Sequence, residues 1–229
     1  MNILGIDTST KHMSIGLVSN DVILGEIIFN SNMDHSEKLI TNLSYILDSN
    51  DMKIDDIDLI GVAKGPGSFT GIRIGIATVK GLAEFTDIPV VGVSSLEALS
   101  RNFMYTSPVA IAVDAKRDRV YGAIYGYNEE NHNVLLQEGM YDIDVFKDYV
   151  RKYKPTVIAG DINTAFNDEF DYEIKFSSGL DSLNHGANIC FIAKREFDAG
   201  NHFSHLELGA NYMSKSQAQM DMEKKNGKI

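Results

Sequence analysis

Three short apolar runs, broken by polar pairs, open the chain. Asn2–Ile6 (NILGI), Met13–Ser19 (MSIGLVS) and Val22–Phe29 (VILGEIIF) are rich in β-branched residues and bounded by turn formers, which predicts three consecutive strands. Asn20-Asp21 suits a tight hairpin between the last two, because both residue types tolerate a left-handed backbone. The period then changes. In DHSEKLITNLSYILDS, Leu39, Ile40, Leu43, Ile46 and Leu47 recur at i, i+1, i+4, i+7 and i+8, one stripe of a helix. Asp34 and Glu37 have the spacing of a capping box at its start. A buried strand over Leu59–Ala63, a glycine turn, a second helix and a strand over Pro89–Val93 follow. The order β-β-β-α-β-α-β predicts an α/β layer with a mixed sheet.

The pattern returns in a weaker form. Pro108–Val113, Arg119–Tyr127 and Asn133–Tyr141 read as three strands, followed by a helix over Val145–Tyr153 and a strand over Thr156–Ala159. This internal repeat predicts two related lobes that meet near residues 100–107. The N-terminal lobe is expected over 1–105 and a smaller C-terminal lobe over 106–215, with Ala187–Phe197 among its last helices. The polar segment 216–229 has no sustained apolar stripe and is expected to fray.

Composition narrows the function classes. The 229 residues suit one large domain or two small lobes sharing a core. With 44% hydrophobic and 23% charged residues the chain reads as an ordinary soluble protein. No run reaches the roughly 18 apolar residues of a membrane span, and Asp7 interrupts the first apolar run too early for a signal peptide. Cys190 is the single cysteine, which excludes an intramolecular disulfide and fits a reducing cytoplasm. Its apolar neighbours predict a buried structural thiol. The formal net charge is −11, which disfavours direct, strong nucleic-acid binding. The basic cluster Lys116, Arg117, Arg119 has Asp114 and Asp118 interspersed.

Candidate chemistry centres on AKGPGSFTGIRIGIATVKGLAEF, where a strand enters a glycine-rich turn and a helix follows, as in a phosphate cradle. The fit is imperfect. Gly71 is followed by Ile72 rather than Lys, and Gly65, Gly67 and Gly71 are one residue too widely spaced for G-x-G-x-x-G. Pro66 also removes an N–H. The structural reading is that the glycines supply positive φ and that Ser68 or Thr70 caps the helix. Asp7, Thr8, Ser9 and Thr10 sit on the turn between the first two strands. They could position a metal-bound phosphate, or simply satisfy their own backbone. The helix after the glycine turn is apolar nearly all round: Ile72, Ile76, Val79 and Ala83 form one stripe, while Ile74, Leu82 and Phe85 lie elsewhere. Gly71, Gly75 and Gly81 would admit a neighbouring backbone. That helix is either sandwiched within the chain or meets another protein. His202 and His205 are spaced i, i+3 but have no third ligand nearby. His35, in the first helical turn, reads as structural.

Together NILGIDTST, HSEKL, GVAKGPGSFTGIRIGIATVKGLA, GVSSLEAL and VDAKRDRVYGAIY resemble the bacterial TsaB (YeaZ) family of tRNA threonylcarbamoyladenosine biosynthesis proteins, over roughly residues 1–127. LELGANYMSK, around Tyr212, is a looser match. The resemblance implies the actin-like ATPase fold, with two lobes of β-β-β-α-β type, and a paralogue of the catalytic subunit TsaD. Where TsaD holds a metal with two histidines this chain has Ser95 and Leu99, and Leu99 has no lone pair to offer. The implied role is that of a non-catalytic subunit with no cofactor of its own, ATP and metal belonging to partner subunits. The implied partners are TsaD, the ATPase TsaE, and a second copy in isolation. Transfer RNA would be met only through the complex, and no membrane is involved. The partner surface is expected on Leu39, Leu43, Ile46 and Leu47 of the first long helix and Arg73, Ile76 and Lys80 of the second. Asp7, Thr8, Ser9, Gly65, Gly67 and Ser68 would be a vestigial phosphate loop. The alternatives are a self-sufficient ATPase or kinase of the same fold using Asp7 and the glycine turn, and, more remotely, a metallopeptidase.

Overall fold

The computed structural model describes residues 1–30, 35–128, 131–161, 166, 170–211 and 213. Asp34 of the expected capping box, Tyr212 and the 216–229 segment lie outside the described residues. Alternating side chains build the first sheet from β1 (Asn2–Asp7), β2 (His12–Ser19), β3 (Val22–Asn30), β4 (Leu59–Gly65) and β5 (Val90–Ser94), in the order β3-β2-β1-β4-β5. The β1–β2 and β2–β3 pairs are antiparallel, and β1–β4 and β4–β5 are parallel. Asn20 and Asp21 turn the second hairpin with φ of 49° and 66°, as their residue types allow.

Leu4, Ile6, Ile15 and Leu17 point to one face of this sheet, where α1 (His35–Asp48) and α2 (Phe69–Thr86) cover them. Ile3, Val18, Leu59 and Val91 point to the other, covered by α5 (Gly186–Asp198). This is period-two patterning with both faces buried.

The second sheet combines β6 (Val109–Asp114), β7 (Arg119–Asn128), β8 (Asn131–Asp142), β9 (Val157–Ala159) and β10 (Lys175–Phe176), in the order β10-β9-β6-β7-β8. Phe146 and Val150 of α4 (Ile143–Tyr153) close one side of it. Leu96 and Leu99 of the short α3 (Ser95–Ser100) close the other. The two five-stranded mixed sheets are the repeated lobes predicted from the sequence.

The C-terminal lobe expected over 106–215 does not close on itself. Helix α5, expected to belong to it, packs across β1, β2, β4 and β5 of the first sheet. The reason is a glycine furrow. Gly16, Gly5 and Gly61 stand side by side on adjacent strands, and a Cβ at any of them would run into Ala187, Gly186, Cys190, Ile189 or Ala193 of α5. Close helix–sheet approach is possible only where no side chain intervenes. Beyond α5 the described residues up to Asn211 stay on the first lobe. Phe203 exchanges both backbone hydrogen bonds with Val90, at 3.3 and 3.0 Å, and Asn211 N donates to Lys64 O at 2.8 Å.

Candidate functional site

The turn after β1 and the glycine turn after β4 meet, and the six residues expected to form a phosphate loop come together there. Asp7, Thr8 and Ser9 are all buried. Asp7 Oδ1 accepts from Ser9 N and Ser9 Oγ, both at 2.7 Å. Its Oδ2 accepts from Asn184 Nδ2 at 2.7 Å, and the same amide reaches Ser9 Oγ at 3.3 Å. Ser68 N donates to Ser9 O at 2.6 Å. Ser68 Oγ caps α2 by accepting from Gly71 N at 3.2 Å. Thr8 Oγ1 donates to Gly71 O at 2.8 Å. Gly65 has φ of 104°, and Gly67 leaves room for the Ser9 carbonyl, where a Cβ would collide.

A phosphate cradle needs amide N–H groups aimed at an open anion position. Here Ser68 N and Gly71 N are committed to neighbouring oxygens, Pro66 has no N–H, and the Asp7 carboxylate is filled by Ser9 and Asn184. The residues present do not fit a bound phosphate. The capping reading of Ser68 describes the turn better.

Ser95 and Leu99 are both turned inward. Ser95 Oγ donates to Pro66 O and so braces the glycine turn. Leu99 packs against the second sheet with Val109, Ile111 and Tyr125. Among the described residues, no group of three His, Cys, Asp or Glu side chains is placed to hold a metal. His205 Nε2 pairs with Glu84 at 2.6 Å while the His202 ring lies against Phe197, 4.8 Å between centroids, so the two histidines serve separate contacts. Cys190 is buried, its Sγ 3.4 Å from the carbonyl oxygens of Ile3 and Gly16, and burial pushes its thiol pKa well up.

The expected partner surface needs correction. Leu39, Leu43, Ile46 and Leu47 are buried in the chain's own core against β2 and β3, and Ile76 lies in the same core. An amphipathic helix on a sheet turns its apolar stripe inward, so that stripe is not available to a partner. Of the α2 residues, Arg73 is exposed and its guanidinium stacks 3.8 Å over the Phe69 ring. Lys80 is half-buried, its Nζ 3.4 Å from Leu206 O. The outward faces carry a different set: Ile40 and Tyr45 on α1, 52% and 65% exposed, and Phe85 on α2, 89% exposed. The two helices touch.

Two polar constellations have no local signature in the sequence. Glu26 of β3 caps α5 across the fold, and Asn184 closes the Asp7 site from a distant segment. At the junction of the lobes, Glu97 Oε1 of α3 lies 2.7 Å from Arg195 Nη1 of α5 and 3.8 Å from His132 Nδ1 of β8.

Comparison with known proteins bears on the family and the fold. The family model described as "TsaD: tRNA N6-adenosine threonylcarbamoyltransferase" matches residues 23–198. The TsaB protein of Bacillus subtilis (strain 168) is 38% identical over 146 residues, 63% of this chain and 62% of that protein. The TsaB protein of Buchnera aphidicola subsp. Schizaphis graminum is 30% identical over 168 residues, 69% of this chain and 78% of that protein. YeaZ from Pseudomonas aeruginosa shares the fold with a TM-score of 0.77 at 23% identity, covering 92% of this chain and 99% of that one. The chain spans less than two thirds of the length of the Bacillus relative, and 57% of that of the Escherichia coli TsaB.

Two five-stranded mixed sheets, each built on a β-β-β-α-β repeat, define the class: a two-lobed α/β protein with the fold of YeaZ. Within that class, the chain belongs to the TsaB (YeaZ) family.

Proposed function

We propose that the chain is a cytoplasmic, non-catalytic subunit of the assembly that places threonylcarbamoyl on the adenosine beside the tRNA anticodon. It docks the catalytic protein TsaD through the outward faces of α1 and α2 and helps recruit the ATPase TsaE. It brings no nucleotide or metal of its own, and in isolation it pairs with a second copy through the same helices. The observation that carries this reading is the pair of adjoining helices with large apolar side chains facing solvent. Burying Ile40, Tyr45 and Phe85 against a partner would contribute about 1.5–3 kcal/mol each, enough to move an association constant by orders of magnitude. The self-occupied Asp7 site supports placing the chemistry on the partner, as does Leu99 where TsaD has a metal-holding histidine.

The test is reconstitution. The purified partner proteins are expected to modify a tRNA transcript only when this chain is added. Modification by this chain alone, or tight Mg-ATP binding with turnover lost in Asp7→Ala, would instead establish an enzyme.

A further inference from the structure

We propose that His132 is an acid-operated release between the two lobes: as a neutral ring it lets α3, α5 and the β7–β8 pair close on one another, and on protonation it parts them. The contact lies within one chain and holds whether or not a partner docks.

The ring sits where the lobes meet. His132 lies opposite Tyr127 in the β7–β8 register. Its imidazole stacks on Tyr125, 5.1 Å between centroids, and leans on Tyr127 at 5.5 Å. That places it on the face of the second sheet that α3 closes. From α3, Glu97 Oε1 comes within 3.8 Å of His132 Nδ1, and Arg195 Nη1 of α5 is 2.7 Å from the same oxygen. Because α5 is seated on the first sheet, this one carboxylate joins both lobes. His132 Nε2 is buried and has no hydrogen-bond partner.

The charges around the ring come from every element packed on it. Glu97 of α3 and Glu196 of α5 favour a proton there, while Arg195 of α5 and Arg101, just after α3, oppose it. On β8 itself, Glu138 is engaged by the Tyr125 hydroxyl at 2.7 Å, and the Tyr127 hydroxyl pairs with Ser100 Oγ. Two carboxylates against two guanidiniums nearly cancel, so burial decides. The neutral tautomer with a proton on Nδ1 can already donate towards Glu97. Charging the ring strips no further benefit from that carboxylate's position, and it adds a buried Nε2–H with nothing to accept it.

The His132 pKa is accordingly displaced downward, with burial the largest cause. In an opened junction the ring regains water and its ordinary value near 6.5. Between the two values the open form binds more protons. The closed form is therefore at full strength above about pH 6.5 and weakens as pH falls through that value towards the depressed one.

The test follows the full chain from pH 7.5 to 5.5. In imidazole nuclear magnetic resonance, with the His132 ring assigned through its contacts to Tyr125 and Tyr127, the ring is expected to be mostly neutral at pH 6.5 and to titrate below it. Amide hydrogen exchange, corrected for the intrinsic effect of pH, should show protection in α3 and β8 falling several-fold, at most about tenfold for one proton over this range, while β1 holds. In His132→Gln, which cannot charge, the fall should disappear. A His132 ring that titrates at or above 6.5 would overturn the proposal, as would junction protection that is constant with pH or falls equally in the variant. Should His132→Gln not fold, His132→Phe takes its place; if neither folds, the titration of the wild-type ring decides.

Discussion

Glu26 lies in β3, yet its carboxylate closes the N-terminus of a helix far along the chain. Oε1 accepts from Ala187 N at 2.9 Å, and Oε2 pairs with His185 Nδ1 at 2.8 Å. Burial pushes the Glu26 carboxyl up, but the His185 hydrogen bond and the Ala187 amide outweigh it and the pKa falls. For His185 the Glu26 hydrogen bond outweighs burial and the pKa rises. The carboxylate's contribution is therefore present above its unfolded value and lost as pH falls through the depressed folded pKa. The imidazolium's is full below its unfolded value and lost as pH rises through the raised one. Glu26→Gln is expected to cost about 1–2 kcal/mol. The difference from wild type should be greatest between about pH 4.5 and 6.5 and shrink on either side, as read by urea unfolding at several pH values. Glycines differ just as sharply by position. Gly75 abuts Thr8 Oγ1, whereas a Cβ at Gly81 meets nothing. Gly81→Ala should stabilise the helix by about 0.5–1 kcal/mol and Gly75→Ala should destabilise the protein, both visible in the denaturant midpoint. Local residue chemistry such as the Ser68 cap or the buried Cys190 was legible in the sequence. Asn184 and Glu26 were not, because a hydrogen bond to a residue more than a hundred positions away leaves no periodicity.

At the scale of the element, periodicity located α1 and α2 correctly but did not say which partner their apolar residues meet. The stripe Leu39, Leu43, Ile46, Leu47 is the strongest signal in α1 because it serves the internal core. The docking face proposed above must stay soluble before it docks, which fits apolar residues as sparse as Ile40, Tyr45 and Phe85, which form no stripe. Opposite outcomes are expected for neighbouring substitutions. Leu43→Asp puts a charge into the core and should abolish folding. Ile40→Asp should leave the thermal transition within a few degrees of wild type and eliminate co-purification with TsaD. If Ile40→Asp and Phe85→Asp both co-elute normally, the docking face lies elsewhere.

For the whole molecule, the repeat of three strands, helix, strand was readable because each copy follows the same alternation of burial. Membership of the last helix was not. The amphipathic pattern of α5 fits any sheet, and only the row of Gly16, Gly5 and Gly61 selects its seat, a relation that appears once the strands are in register. The fold is closed by its own C-terminal part, and Glu97 with Arg195 and His132 ties both sheets to it. Tyrosine fluorescence and far-ultraviolet circular dichroism are therefore expected to report one coincident unfolding transition. Two separated transitions would mean that the lobes unfold independently.

The glycine furrow also sets a timetable. At roughly 5–20 residues per second, a ribosome needs about 10–30 s to travel from the codon of Gly16 to those of α5. During that interval the nascent first sheet has one greasy side bare. Chaperone occupancy on the growing polypeptide should accordingly persist until α5 has left the exit tunnel, although every strand of that sheet was made long before.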